Sequence, residues 1–265
     1  MVKDGRQLGF SLTETLMAVG TLAIGLMFIG GTFLTGIYFS TLSTERGIAA
    51  VAAEEAFAKI RIYGLDPNHA GLKTDGFTPY EQLVAIPTEE CLYPSTPEDP
   101  ARQYSWAALC KRTGSGSRLV QCTVFVSRRA VNAKYWVRKS GADWPQLGSS
   151  DANLPRPVRI NIVQAPSGAE PSDVLLKDAV PTDPNDERAF VMDGALLVDD
   201  ATGQIYRVLE RYANQLDRIR LDRPWTGGAI GAPTGGWAWV IPPAASGGRD
   251  PLVAVYQQVL RFPGN

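Results

Sequence analysis

The stretch from Phe10 to Phe39 is thirty residues long and carries one charge, Glu14. As a helix it would run about 45 Å, more than the ~30 Å hydrocarbon core of a bilayer. Every later apolar run is shorter and broken by charge, so this segment is the membrane-spanning candidate. A charged carboxylate inside an apolar helix costs on the order of 3 kcal/mol in lipid, so it calls for a partner. The run is also rich in small residues, with Gly20, Gly25, Gly30, Gly31, Gly36, Ala18 and Ala23. Such residues let helices approach closely in lipid. A cleaved secretory signal has a shorter core followed by an Ala-x-Ala-like site, and Gly36-Ile37-Tyr38 is not one. A plain one-pass anchor accounts for the length but not for Glu14.

The order of residues accounts for both. A short charged leader, Met1 to Gly9, is followed by Phe10-Ser11-Leu12-Thr13-Glu14 and then by the apolar run. This resembles the type IV pilin-like signal: Gly, a cut, Phe, and Glu at the fifth mature position. The resemblance covers about the first forty residues. It implies that a prepilin peptidase cuts between Gly9 and Phe10 on the cytoplasmic side and methylates the new amino group of Phe10. Lys3 and Arg6 fit the positive-inside bias. The sequence departs from the family pattern in places. Ser11 and Thr13 replace the commoner Thr and Ile, no basic residue directly precedes Gly9, and the mid-helix proline of many major pilins is absent.

The resemblance gives Glu14 an assembly role. Its carboxylate would meet the positive amine of Phe10, on a neighbouring subunit or on its own chain, so that two buried charges neutralise each other and set a register. The alternative is a carboxylate that snorkels to the interface near the helix end. Gly30-Gly31 stands where the missing proline would be. Two adjacent glycines cost roughly 2 kcal/mol of helix preference against alanine, so the helix either loosens there inside a filament or merely packs closely.

From Ser40 to Ile62 the helical pattern continues without proline. Ala49, Ala53, Ala56, Phe57 and Ile60 form one apolar stripe at three- and four-residue steps. Gly64 and Pro67 end it. The remainder is rich in proline, glycine and alternating runs. Strands are predicted at 118–126, 133–138, 158–163, 190–198, 204–209, 218–221, 237–241 and 252–261. Asp199 to Gly203 has the composition of a hairpin turn, and Ala213-Asn214-Gln215 forms a weaker second one. Residues 104–111 read equally as a helical turn or a strand. The expected fold is α+β and pilin-like, with one long N-terminal helix packed under an antiparallel β-sheet head. The expected parts are a leader (1–9), a transmembrane or filament-core helix (10–39), its amphipathic continuation (40–64) and a β-rich head (65–265).

Composition narrows the function. The chain has 26 basic and 27 acidic residues, a net charge of -1, and so no general attraction to nucleic acid or anionic lipid. The charge is uneven. Arg102 to Arg159 is mostly basic, Val163 to Asp200 mostly acidic, and opposite patches can meet within the head or between subunits. The single histidine, His69, excludes a two-histidine metal site. Asp183 to Glu187 supplies oxygen ligands but no calcium-loop pattern, and reads as a solvated acidic turn. Gly114-Ser115-Gly116-Ser117 is neither a nucleophile elbow nor a phosphate loop. Trp225, Trp237 and Trp239 read as core or turn packing. No enzyme, cofactor or metal centre is expected.

Three cysteines are too few for a disulfide scaffold. A head outside the cytoplasm would permit one bridge. Cys91–Cys110 would close the proline-rich excursion of 86–117 and stabilise by roughly 3 kcal/mol. Cys110–Cys122 is the rival pairing, and three free thiols the third option.

The function implied by the resemblance is structural. The chain would be a minor pilin of a type IV pilus or a pseudopilin of a type II secretion filament. Its partners would be prepilin peptidase, other subunits and, before assembly, inner-membrane lipid. The head would lie outside the cytoplasm and later on a periplasmic or surface filament. A head near 200 residues favours a place at or near the tip. The alternative is a membrane-anchored protein that does not polymerise and whose head binds DNA or a surface ligand, although no nucleic-acid-binding motif is present.

Overall fold

The computed structural model describes residues 11–95, 102–129, 133–138, 145–147, 154–165, 168–178, 186–227, 236–245 and 250–263. One helix, Leu12–Tyr63 (α1), leads the chain. Contacts divide the chain into two units, Met1–Gly47 and Ile48–Asn265, so the last turns of α1 belong to the head's own unit. The architecture is α+β.

In the second unit α1 buries Ala49, Ala52, Ala53, Ala56, Phe57 and Ile60. This is the predicted stripe with Ala52 added. Four alanines and the larger Phe57 and Ile60 make up this buried face. The helix ends because Gly64 takes φ +74°, a left-handed conformation that suits glycine, and its amide donates back to the carbonyl of Ile60 at 3.1 Å.

The chain then forms Thr78–Pro79 (β1), a one-turn helix Tyr80–Leu83 (α2), a 3-10 turn Thr88–Cys91, and Leu92–Tyr93 (β2). Two long strands follow, Tyr104–Arg112 (β3) and Leu119–Arg128 (β4). The first resolves the ambiguity of 104–111 in favour of a strand. Next come Trp136–Arg138 (β5) and Pro145–Leu147 (β6), which pair with each other. The remaining strands are Val158–Gln164 (β7), Asp173–Lys177 (β8), Leu196–Asp199 (β9), Ile205–Arg211 (β10), Arg218–Leu221 (β11), Gly236–Val240 (β12) and Leu252–Arg261 (β13).

In place of the expected single sheet there are, besides the small β5–β6 pair, two larger assemblies. One is a five-stranded sheet ordered β1-β3-β4-β13, with β2 also on β3. The other is a closed barrel ordered β10-β11-β8-β7-β12-β9. The barrel strands lie between β4 and β13 in sequence, yet β13 pairs directly with β4 from Leu252↔Ser127 to Arg261↔Leu119. The chain therefore leaves the sheet, builds the barrel and returns to the same edge. Local alternation predicts strands but not which distant strands close on one another, so the barrel is not visible in it.

Further corrections are local: the predicted strand 133–138 begins only at Trp136, and the short β1, β2 and β6 are not anticipated. The predicted strand 190–198 begins only at Leu196, because Glu187–Phe190 forms a 3-10 turn and Gly194 takes φ +82°. Strand β8 is not anticipated at all. The two predicted turns do join strands, Asp200–Gly203 between β9 and β10 and Tyr212–Asp217 between β10 and β11.

The sheet is covered on both faces. Trp106, Ala108, Cys110, Val120, Cys122, Val124 and Val126 share a core with the α1 stripe. Leu109 and Phe125, on the alternate face, pack with Phe77 and with Val198, Trp239 and Ile241 of the barrel side. Period-two alternation thus supplies both interfaces. Asp200 joins them. One of its oxygens accepts from the Phe77 amide at 2.8 Å and from Trp239 Nε1 at 2.7 Å, while the other lies 3.5 Å from Arg159. The excursion after α2 is tied to α1 by Lys59, which reaches Glu55 at 2.9 Å and Glu90 at 3.0 Å.

Asp173 of the barrel is buried and accepts from Arg218 Nε at 3.1 Å and Arg220 Nε at 3.2 Å. Burial pushes its carboxyl pKa up, but the bonds and charges of Arg218 and Arg220 outweigh burial and hold it below the ordinary carboxylate range. A depressed folded pKa stabilises above the unfolded value of about 3.9 and is lost as pH falls through the folded one. Asp173→Asn is therefore expected to unfold at a lower temperature than the parent from neutrality down to about pH 5. The difference should shrink below about pH 4, as read by thermal melts across that range.

Candidate functional site

The site to be judged is the first turn of α1 and the apolar run behind it. Ser11 caps the helix. The amide of Glu14 donates to Ser11 Oγ at 3.3 Å, and Glu14 Oε2 accepts from the Ser11 amide at 3.1 Å. Ser11 Oγ lies 3.2 Å from the same oxygen. This reciprocal pair is a capping box, and the Ser-x-x-Glu spacing that makes it was present in the sequence. A carboxylate in the first turn also faces the positive end of the helix dipole. The Ser11 amide and hydroxyl both donate to Oε2, so Oε1 remains open among the described residues.

Behind the cap, the apolar side chains from Leu12 to Phe39 are all exposed, with Leu12 and Met27 both at 79 %. Covering fifteen such side chains is worth on the order of 20 kcal/mol or more at the usual 1.5–3 kcal/mol each. Water is not the medium this surface suits. The threonines do not spoil it. Thr15, Thr21, Thr32, Thr35 and Thr41 each donate the side-chain hydroxyl to a carbonyl three or four residues back. Their polarity is satisfied within the helix, as a hydrocarbon surrounding requires.

The helix runs unbroken through Gly30 and Gly31, and a Cβ at either would meet nothing within 4 Å. Gly31 and Gly36 leave an apolar groove of about 700 Å³ bordered by Ile24, Phe28, Thr35 and Phe39. Gly9 and Phe10, the predicted processing pair, lie outside the described residues, as do the leader and Asp183 to Asn185. Asp186 is described. It accepts from Arg188 Nε at 2.8 Å and caps the turn that follows.

All three cysteines are buried and stand as free thiols in the structure. Leu92 pairs with Ser105, which sets the neighbouring Cys91 level with Trp106, four residues along β3 from Cys110. At ~3.3 Å per residue that is about 13 Å, too far for the Cys91–Cys110 bridge. Cys110 instead stands opposite Cys122, with the two sulfurs 3.4 Å apart.

The basic stretch is partly neutralised. Arg156 pairs with Glu81, and Arg159 pairs with Asp200 while lying 4.2 Å from the Trp237 ring centroid. Trp239 is buried, and Trp225 packs on Tyr206 at 4.7 Å. His69 is half-buried, and its Nδ1 accepts from the Gly71 amide at 3.0 Å. No group of three or more His, Cys, Asp or Glu side chains is placed to hold a metal among the described residues.

These features define a class: an α+β protein whose β-rich head follows one exposed apolar helix, long enough to cross a membrane. That architecture is compatible with the pilin-like pattern. Comparison with protein families, curated proteins and solved structures finds no match to this chain.

Proposed function

We propose that the chain is a structural, pilin-like subunit, a minor pilin or a type II secretion pseudopilin. It is cut between Gly9 and Phe10 by prepilin peptidase and methylated on Phe10. The helix holds it in the inner membrane with the head outside the cytoplasm. It then joins a filament through the helix.

The observation that carries this reading is the position of Glu14. A carboxylate sits in the first turn of a helix whose stretch from Leu12 to Phe39 is otherwise uncharged and uncovered, four residues after the Phe10 whose amine cleavage would release. The capping box holds one oxygen and leaves the other for a second contact. A head widened by an inserted barrel supports the minor-subunit reading, since it suits a tip better than a densely packed shaft. The reading is tested by where the chain begins in cells with and without the peptidase.

A further inference from the structure

We propose that Cys110 and Cys122 are a disulfide site that staples the β3–β4 hairpin, and that Cys91 remains a thiol. This goes beyond the filament reading and rests on it only for the oxidising surroundings.

The geometry comes from the ladder. In the β3–β4 register the Thr113 amide donates to the Leu119 carbonyl at 3.1 Å, and the Arg129 amide to the Gln103 carbonyl at 2.8 Å. Both bonds join directly opposite residues of one register, so hydrogen-bonded pairs fall at odd positions of β3. Cys110↔Cys122 falls between them, at a non-hydrogen-bonded pair. There the Cα atoms come to about 4.5 Å and side chains are closest, within the range a disulfide bridges. The sulfurs are already 3.4 Å apart.

Access sets the order of events. Cys110 and Cys122 are both 0 % exposed, under the alanine stripe of α1. The thiol–thiol hydrogen bond to Cys122 and burial together push the Cys110 thiol well above its ordinary range. Burial raises Cys91 to about 11. With both sulfurs buried in the core shared with α1, an external oxidant does not reach them in the folded chain, and the bridge forms before α1 docks. One thiolate of the incompletely folded chain attacks a glutathione-class or protein disulfide, releasing one thiolate and leaving a mixed disulfide. The second cysteine attacks that sulfur and releases the other thiolate. The oxidant takes up two electrons, and the two protons lost by the cysteines end on its sulfurs.

The test uses the full chain in detergent, reduced and denatured, then refolded with a glutathione redox pair. Free thiols are alkylated under denaturing conditions without reduction, and the peptides are mapped. The expected result is a linked Cys110–Cys122 peptide and an alkylated Cys91. The chain folded before the oxidant is added should form the link much more slowly. Three alkylated cysteines after oxidative refolding, or Cys91 in the link, would overturn the proposal. The same map on protein taken from cells examines the surroundings separately. A thiol pair in cells beside a linked pair after refolding overturns the extracytoplasmic placement of the head, not the pairing.

Discussion

Glu14→Gln is expected to reach the membrane in normal amounts and to drop out of filaments by roughly a hundred-fold. The figure corresponds to the ~3 kcal/mol that an uncompensated buried charge costs, here the Phe10 amine left without its carboxylate. Glutamine is the informative replacement because it serves a capping box as well as glutamate does. The bonds to Ser11 at 3.1 and 3.2 Å can persist, so helix content should not change. Ser11→Ala makes the opposite cut. It removes the cap, at about 1 kcal/mol, and leaves the charge. If assembly runs through the carboxylate, the serine variant incorporates and the glutamine variant does not. If Glu14 serves only to start the helix, the order reverses. Immunoblots of sheared filaments against membranes read the difference.

Asp200→Ala is expected to destabilise the head by about 3 kcal/mol, which for a domain near this size is a fall of roughly 10 °C in Tm. The residue is 8 % exposed and its Oδ1 receives both the Phe77 amide and the Trp239 indole. Alanine leaves two buried donors without an acceptor, and each costs about 1–3 kcal/mol. Asparagine keeps an oxygen for both and loses only the 3.5 Å pair with Arg159, so it should cost less than half as much. Close packing sharpens the effect, since a Cβ on Gly76 would lie 3.0 Å from the other Asp200 oxygen. Thermal or urea unfolding of the detergent-held chain measures both variants. An alanine variant as stable as the parent would show that Asp200 does not join the sheet to the barrel.

The elements legible in the sequence are those fixed by near neighbours. The α1 stripe follows from alanines and large apolars at three- and four-residue steps, and the structure buries those same residues. Leu252–Arg261 is read to the residue because a run rich in β-branched and apolar residues lies between Pro251 and Pro263. What is not legible depends on partners far away in the chain. The return of β13 to β4 across the whole barrel, and the closure of β12 on β9, leave no local mark. Cys110 shows the same limit. Loop length alone makes Cys91 attractive, whereas the β2–β3 register takes it away from Cys110 and the β3–β4 register sets Cys122 opposite. The capping box is the reverse case. Ser11 and Glu14 carry its spacing openly, but the strong resemblance around Glu14 draws attention to the charge and away from the cap.

The central claim is that Phe10 becomes a methylated N-terminus, and the intact mass of the chain tests it most directly. The measurement is made on protein from cells with and without prepilin peptidase, with the N-terminal peptide sequenced alongside. The account predicts a chain that starts at N-methylated Phe10 when the peptidase is present and at Met1 when it is absent. A chain that starts at Met1 in both would contradict it, and would make this an anchored ectodomain whose Glu14 does no more than cap its helix.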